Sequence, residues 1–122
     1  MPSRLHTIIE TPEYISRADK ILGRDGRDQL VSFLAANPKV GDAIRGTGGA
    51  RKFRWAATKG KGKSGGARVV SIFSGANVPI FLLDIYGKDE KDNLTMAERN
   101  TLKVILRDLV KAYQTRKRRS LK

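Results

Sequence analysis

Lys52 and Arg54 are the residues of this chain whose types and spacing most directly suggest chemistry. They sit two apart in the alternating run 51–58, so they project from one face of a strand with their bases about 7 Å apart. Phe53, Trp55 and Ala57 take the opposite, core-facing side. Arg68 opens the next apolar run and would stand beside the pair across an antiparallel hairpin. Like charges opposed across strands cost stability, so three cations on one face point to an anion from elsewhere. Guanidinium forks match phosphate oxygens and keep their proton, and a lysine crowded by cations is a conceivable base. The plainer alternative is a solvated basic face, the usual fate of one such strand.

The rest of the charge follows the same logic. The chain has 122 residues, 25 Lys and Arg against 12 Asp and Glu, and a formal net charge of +13. Residues 1–42 balance six bases with six acids, whereas residues 43–83 hold eight bases and no acid. Residues 107–122 hold seven bases and one acid. Two cationic blocks on a near-neutral scaffold imply a polyanionic partner, with Arg51, Lys59, Lys61 and Lys63 in the first and Arg116, Lys117, Arg118 and Arg119 in the second. A membrane surface fits less well, because the central block lacks an amphipathic helical pattern and no stretch is apolar enough to span a bilayer.

These residues need a scaffold, and the apolar pattern supplies one. Residues 5–10 read as a short strand, and Thr11-Pro12-Glu13 is suited to start a helix. Tyr14, Ile15, Ala18, Ile21 and Leu22 recur at helical spacing up to Gly23. Asp25 can cap a second helix through Leu30, Val31 and Leu34, stopped at Asn37-Pro38, so a helix hairpin is expected. Residues 41–49 read as a glycine-rich loop, and residues 59–66 as a flexible cationic one. Residues 67–74 and 78–86 give two more strands, the latter apolar on both faces. Thr95-Met96-Ala97-Glu98 matches a capping box, and Leu102, Ile105, Leu106, Leu109 and Tyr113 line one face of a C-terminal helix. Arg116–Arg119 is expected to fray, within a basic tail over residues 114–122. The order β-α-α-β-β-β-α predicts one α+β domain over residues 1–122, a twisted antiparallel sheet with an N-terminal helix hairpin and a C-terminal helix.

Other chemistry is poorly supported. Cysteine is absent and His6 stands alone, so no thiolate or histidine metal site is expected, nor any cofactor. Absence of cysteine and of an N-terminal apolar run suits the cytoplasm. Gly62-Lys63-Ser64 would need glycine at position 57 to make a phosphate-binding loop, and that residue is Ala57.

The ordered combination of motifs resembles the HigB-type branch of the RelE superfamily of type II toxins. It consists of Ile44–Gly49, then Arg51-Lys52-Phe53-Arg54-Trp55, Gly62–Val69, Leu83–Lys88, Asn93-Leu94-Thr95 and Glu98. The resemblance covers roughly residues 5–113 and implies a microbial-RNase-like fold. It implies a ribosome-dependent endoribonuclease that cuts A-site mRNA and inhibits translation, with a cognate antitoxin as partner. It matches Lys52 and Arg54 to the family's basic pair, Arg68 to its following arginine, and Lys88 to the lysine of its Gly-Lys. Asp89 and Thr95 depart from the pattern of RelE itself, which has arginine and tyrosine there, so the general acid is unassigned. The reaction implied is attack of a ribose 2′-OH on the adjacent phosphate, with Arg54 and Arg68 on the phosphorane oxygens and Lys88 near the leaving group. Two other readings stay open: a non-catalytic RNA- or ribosome-binding module, and a ParE-type gyrase inhibitor on the same fold.

Overall fold

The computed structural model describes residues 5–56, 66–75, 78–87 and 94–120, with side chains described as far as residue 113. In chain order the elements are β1 (Ile8–Glu10), α1 (Pro12–Ala36), β2 (Asp42–Ala43), β3 (Ala50–Trp55), β4 (Ala67–Ile72), β5 (Ile80–Gly87) and α2 (Met96–Ser120). The strands form one five-stranded sheet in the order β1-β5-β4-β3-β2.

Local chemistry explains where the helices begin. The Thr11 side-chain oxygen accepts from the Tyr14 N–H at 3.4 Å and its hydroxyl donates to the Leu82 carbonyl at 2.8 Å. One residue thus caps α1 and pins it to β5. The Thr95 N–H donates to Glu98 Oε1 at 2.9 Å and the Glu98 N–H to Thr95 Oγ1 at 3.1 Å, the reciprocal pair of a capping box. The two expected N-terminal helices lie on either side of a kink at Gly23 within the span of α1, where φ of 74° and ψ of 174° leave the helical region. Glycine takes that conformation without a Cβ penalty. Tyr14 and Ala18 before the break and Leu30 and Leu34 after it join one core cluster. Arg27 ties the halves together, with contacts of 3.1 Å to Glu10 and 2.8 Å to Asp19. Burial pushes the titration of the Tyr14 hydroxyl upward.

Strand pairing corrects the expected sheet in two places. β3, β4 and β5 form the antiparallel meander, but β1 pairs with β5 in parallel, so the sheet is mixed. No tight turn links β1 to its neighbour; α1 carries the chain across a face of the sheet, which leaves the strand direction free. The second correction is β2, which lies within the expected loop and pairs antiparallel with β3. Two exposed residues show no alternation, and the pairing comes from β3.

Both faces of the sheet are covered. Phe53, Ala67, Val69, Ile80, Leu82 and Ile85 pack under α1. Ala50, Val70, Ile72, Phe81, Leu83 and Tyr86 pack with Leu94 and Leu102 beside α2. A register shift between Val70 and Ser71 pairs Val70 with Asp84 and Ser71 with Leu82. Leu83 is the extra residue of this bulge and lies on the α2 side. The backbone of α2 continues to Ser120, so Arg116–Arg119 extend the helix instead of fraying from it. No described helix is long and apolar enough to cross a membrane.

Candidate active site

Alternation along β3 divides its cations between the two faces. Ala50 belongs to the α2-side cluster, so Lys52 and Arg54 share that side, whereas Arg51, Phe53 and Trp55 face α1. Phe53 is buried. Trp55, expected to be buried too, is only partly so, with its ring centroid 5.2 Å from that of Phe33. It sits at the end of β3, on the rim of the core.

Register then brings Arg68 in. Arg54 is the Cα partner of Arg68, and Lys52 of Val70, so Lys52, Arg54 and Arg68 lie on one face of adjacent strands. Directly opposed residues have Cβ atoms about 5 Å apart. Arg68 is 6% exposed, far deeper than a residue on a solvated basic face. The cause is its position on β4, a central strand whose six residues are all buried, with Tyr86 as its partner on the other side. Tyr86 is itself fully buried.

The three cations open into a cleft of about 590 Å³ lined by Val40, Gly41, Asp42, Lys52, Phe53, Arg54 and Arg68. A concave, cationic site of this kind can hold a phosphate and stabilise charge that grows on it. Asp42 was missed by the sequence reasoning. It closes the neutral N-terminal block, yet β2 pairing makes it the Cα partner of Lys52. A two-residue strand has no period to read, so the signal lay only in the tertiary structure.

Arg51 has a different position from its cationic neighbours. Its Nη2 donates to the Gly41 carbonyl at 2.7 Å and its Nε to the Val40 carbonyl at 3.4 Å. It binds the backbone that precedes β2, on the face away from Lys52 and Arg54. Asp84 pairs with Arg17 at 3.4 Å. The Thr95 oxygen accepts the capping bond described above, a structural use of that side chain. Lys59, Lys61, Lys63, Lys88 and Asp89 lie outside the described residues, as do the side chains of Arg116, Lys117, Arg118 and Arg119.

The architecture has a known counterpart. The chain is similar to the free-state structure of a double arginine-to-alanine mutant of the E. coli toxin RelE, with a TM-score of 0.51. The superposition covers 71% of this chain and 87% of that one at 16% sequence identity. The fold is RelE-like. No family model matches the sequence. At that identity the likeness concerns the backbone, and the RelE-like fold is the frame on which this chain's own cations are arranged.

Proposed function

We propose that this chain is the toxin of a type II toxin–antitoxin system and cleaves mRNA on the ribosome. The observation that carries this reading is the register of β2, β3 and β4. It gathers Lys52, Arg54 and Arg68 at one cleft on a RelE-like fold.

In this reading the cleft receives a phosphodiester of A-site mRNA. The ribose 2′-oxygen attacks phosphorus, the bond to the 5′-oxygen breaks, and a cyclic phosphate and a free 5′-OH result. Arg54 and Arg68 hold the non-bridging oxygens, whose charge grows toward the phosphorane. Lys52 adds a third positive charge to that cluster. Lys88 is assigned to the leaving oxygen, and Lys59, Lys61, Lys63 and Arg116–Arg119 to the RNA backbone, whereas Arg51 is taken up by the Val40 and Gly41 carbonyls. A site with few acid–base groups depends on a positioned substrate, so dependence on the ribosome follows physically. The partners are the ribosome with its mRNA and a cognate antitoxin, and the compartment is the cytoplasm.

Controlled expression followed by mapping of mRNA 5′ ends tests the reading. New ends on translated messages, absent from the same messages with the start codon removed, are expected. Growth arrest with intact mRNA would refute cleavage, and an accompanying DNA-damage response would point to gyrase.

A further inference from the structure

We propose that Asp42 is the general base of this site, taking the proton of the attacking 2′-OH, a role for which Lys52 was a conceivable candidate. The inference rests on the reading of the cleft as a phosphodiester-cleaving site.

Three observations carry it. Asp42 is the Cα partner of Lys52, and both line the cleft with Arg54 and Arg68. It is the one carboxylate among the described lining residues. Its backbone is also held in place from two sides. Arg51 donates to the Gly41 carbonyl at 2.7 Å, and Gly41 lies so close to β3 that an added Cβ would fall 2.4 Å from the Lys52 carbonyl oxygen. Glycine at that position, with φ of +93°, lets β2 lie against Lys52.

The chemistry follows from ordinary protonation states. A cleft that only bound phosphate would gain nothing from a carboxylate, because like charge repels the ligand. An ordinary lysine at neutral pH is an ammonium with no lone pair to offer, whereas an ordinary carboxylate is ionised and can accept a proton. With Asp42 as base, the 2′-OH proton moves to its carboxylate as the 2′-oxygen forms its bond to phosphorus. The P–O5′ bond breaks, its electron pair stays on the 5′-oxygen, and that oxygen takes a proton from water. Lys52, Arg54 and Arg68 then all remain cationic around the phosphorane.

The test measures two quantities that a base and a bystander move in opposite ways. Ribosomes programmed with mRNA, and with the same mRNA carrying 2′-deoxy sugars in the A-site codon, are mixed with the parental protein and with Asp42→Asn and Asp42→Glu. Single-turnover cleavage is followed on the first and affinity on the second. Asp42→Asn is expected to cut about 100-fold to 10,000-fold more slowly, the usual range for a lost general base, while binding at least as tightly. Asp42→Glu, which keeps the carboxylate, is expected to recover part of the rate. Cleavage by Asp42→Asn at or above the parental rate would overturn the proposal and leave the nuclease reading standing. Equal losses of rate and affinity in both variants would also overturn it, by making Asp42 a structural residue. If the parental protein itself cuts neither translated nor free mRNA, the nuclease reading falls, and this inference with it.

Discussion

Arg54 and Arg68 face each other directly across the β3–β4 pair, one exposed at the surface and the other 6% exposed within a central strand. Opposed like charges are unfavourable in a sheet, and burial of one of them raises the cost. Both line the cleft proposed to take the scissile phosphate. Arg68→Ala is therefore expected to slow cleavage by at least about a hundredfold, close to 3 kcal/mol, the usual loss for one oxyanion-stabilising donor. Arg68→Lys keeps the charge without the fork and should recover only part of the rate. Because Arg68 is buried, melting temperature has to be measured alongside. A stability loss with an unchanged rate per folded molecule would make Arg68 a structural residue.

Gly41 controls how closely β2 lies against β3. Gly41→Ala places a methyl against the Lys52 carbonyl and forces an L-residue to φ of +93°. A cost of about 1–3 kcal/mol is expected for such strain, read as a lower denaturant midpoint. Cleavage should fall with it, because Asp42 is the next residue. Arg51→Ala should act in the same direction by removing the bond to the Gly41 carbonyl. Full activity and stability in both variants would show that this clamp does not matter.

Thr95 supplies a cleaner separation of structure from chemistry. Its oxygen accepts the Glu98 N–H at 3.1 Å, so Thr95→Ala should cost roughly 1 kcal/mol of stability, as loss of an N-cap usually does. Cleavage at a temperature where the variant is folded should be unchanged. A rate collapse without loss of stability would place the Thr95 hydroxyl among the groups that position the substrate.

The C-terminal cations predict a salt effect. The described apolar packing of α2 against the sheet comes from Leu102, Leu106 and Leu109, well before Arg116. Deleting residues 115–122 should weaken ribosome affinity. It should also flatten the logarithmic dependence of affinity on salt, by a slope of roughly one for each phosphate no longer neutralised. The rate at saturating ribosomes should hold. Loss of the chemical step after this deletion would assign the segment to the active site instead.

What the sequence determined by itself was local. The i, i+2 spacing of Lys52 and Arg54 against Phe53 put the cations on one face, because side chains alternate along any strand. Thr11, Gly23 and the Thr95–Glu98 box marked helix ends and the break, because capping and positive φ are properties of a few consecutive residues. The acid-free block 43–83 carried the expectation of a polyanionic partner. Tertiary structure decided the rest. Parallel entry of β1 beside β5, the bulge at Leu83 and the pairing of β2 depend on which backbones meet, and no local period encodes that. The same pairings buried Arg68, turned Arg51 toward the Gly41 carbonyl, and set Asp42 opposite Lys52. Charge counted along the chain placed Asp42 in the scaffold, whereas strand pairing makes it part of the cationic cleft.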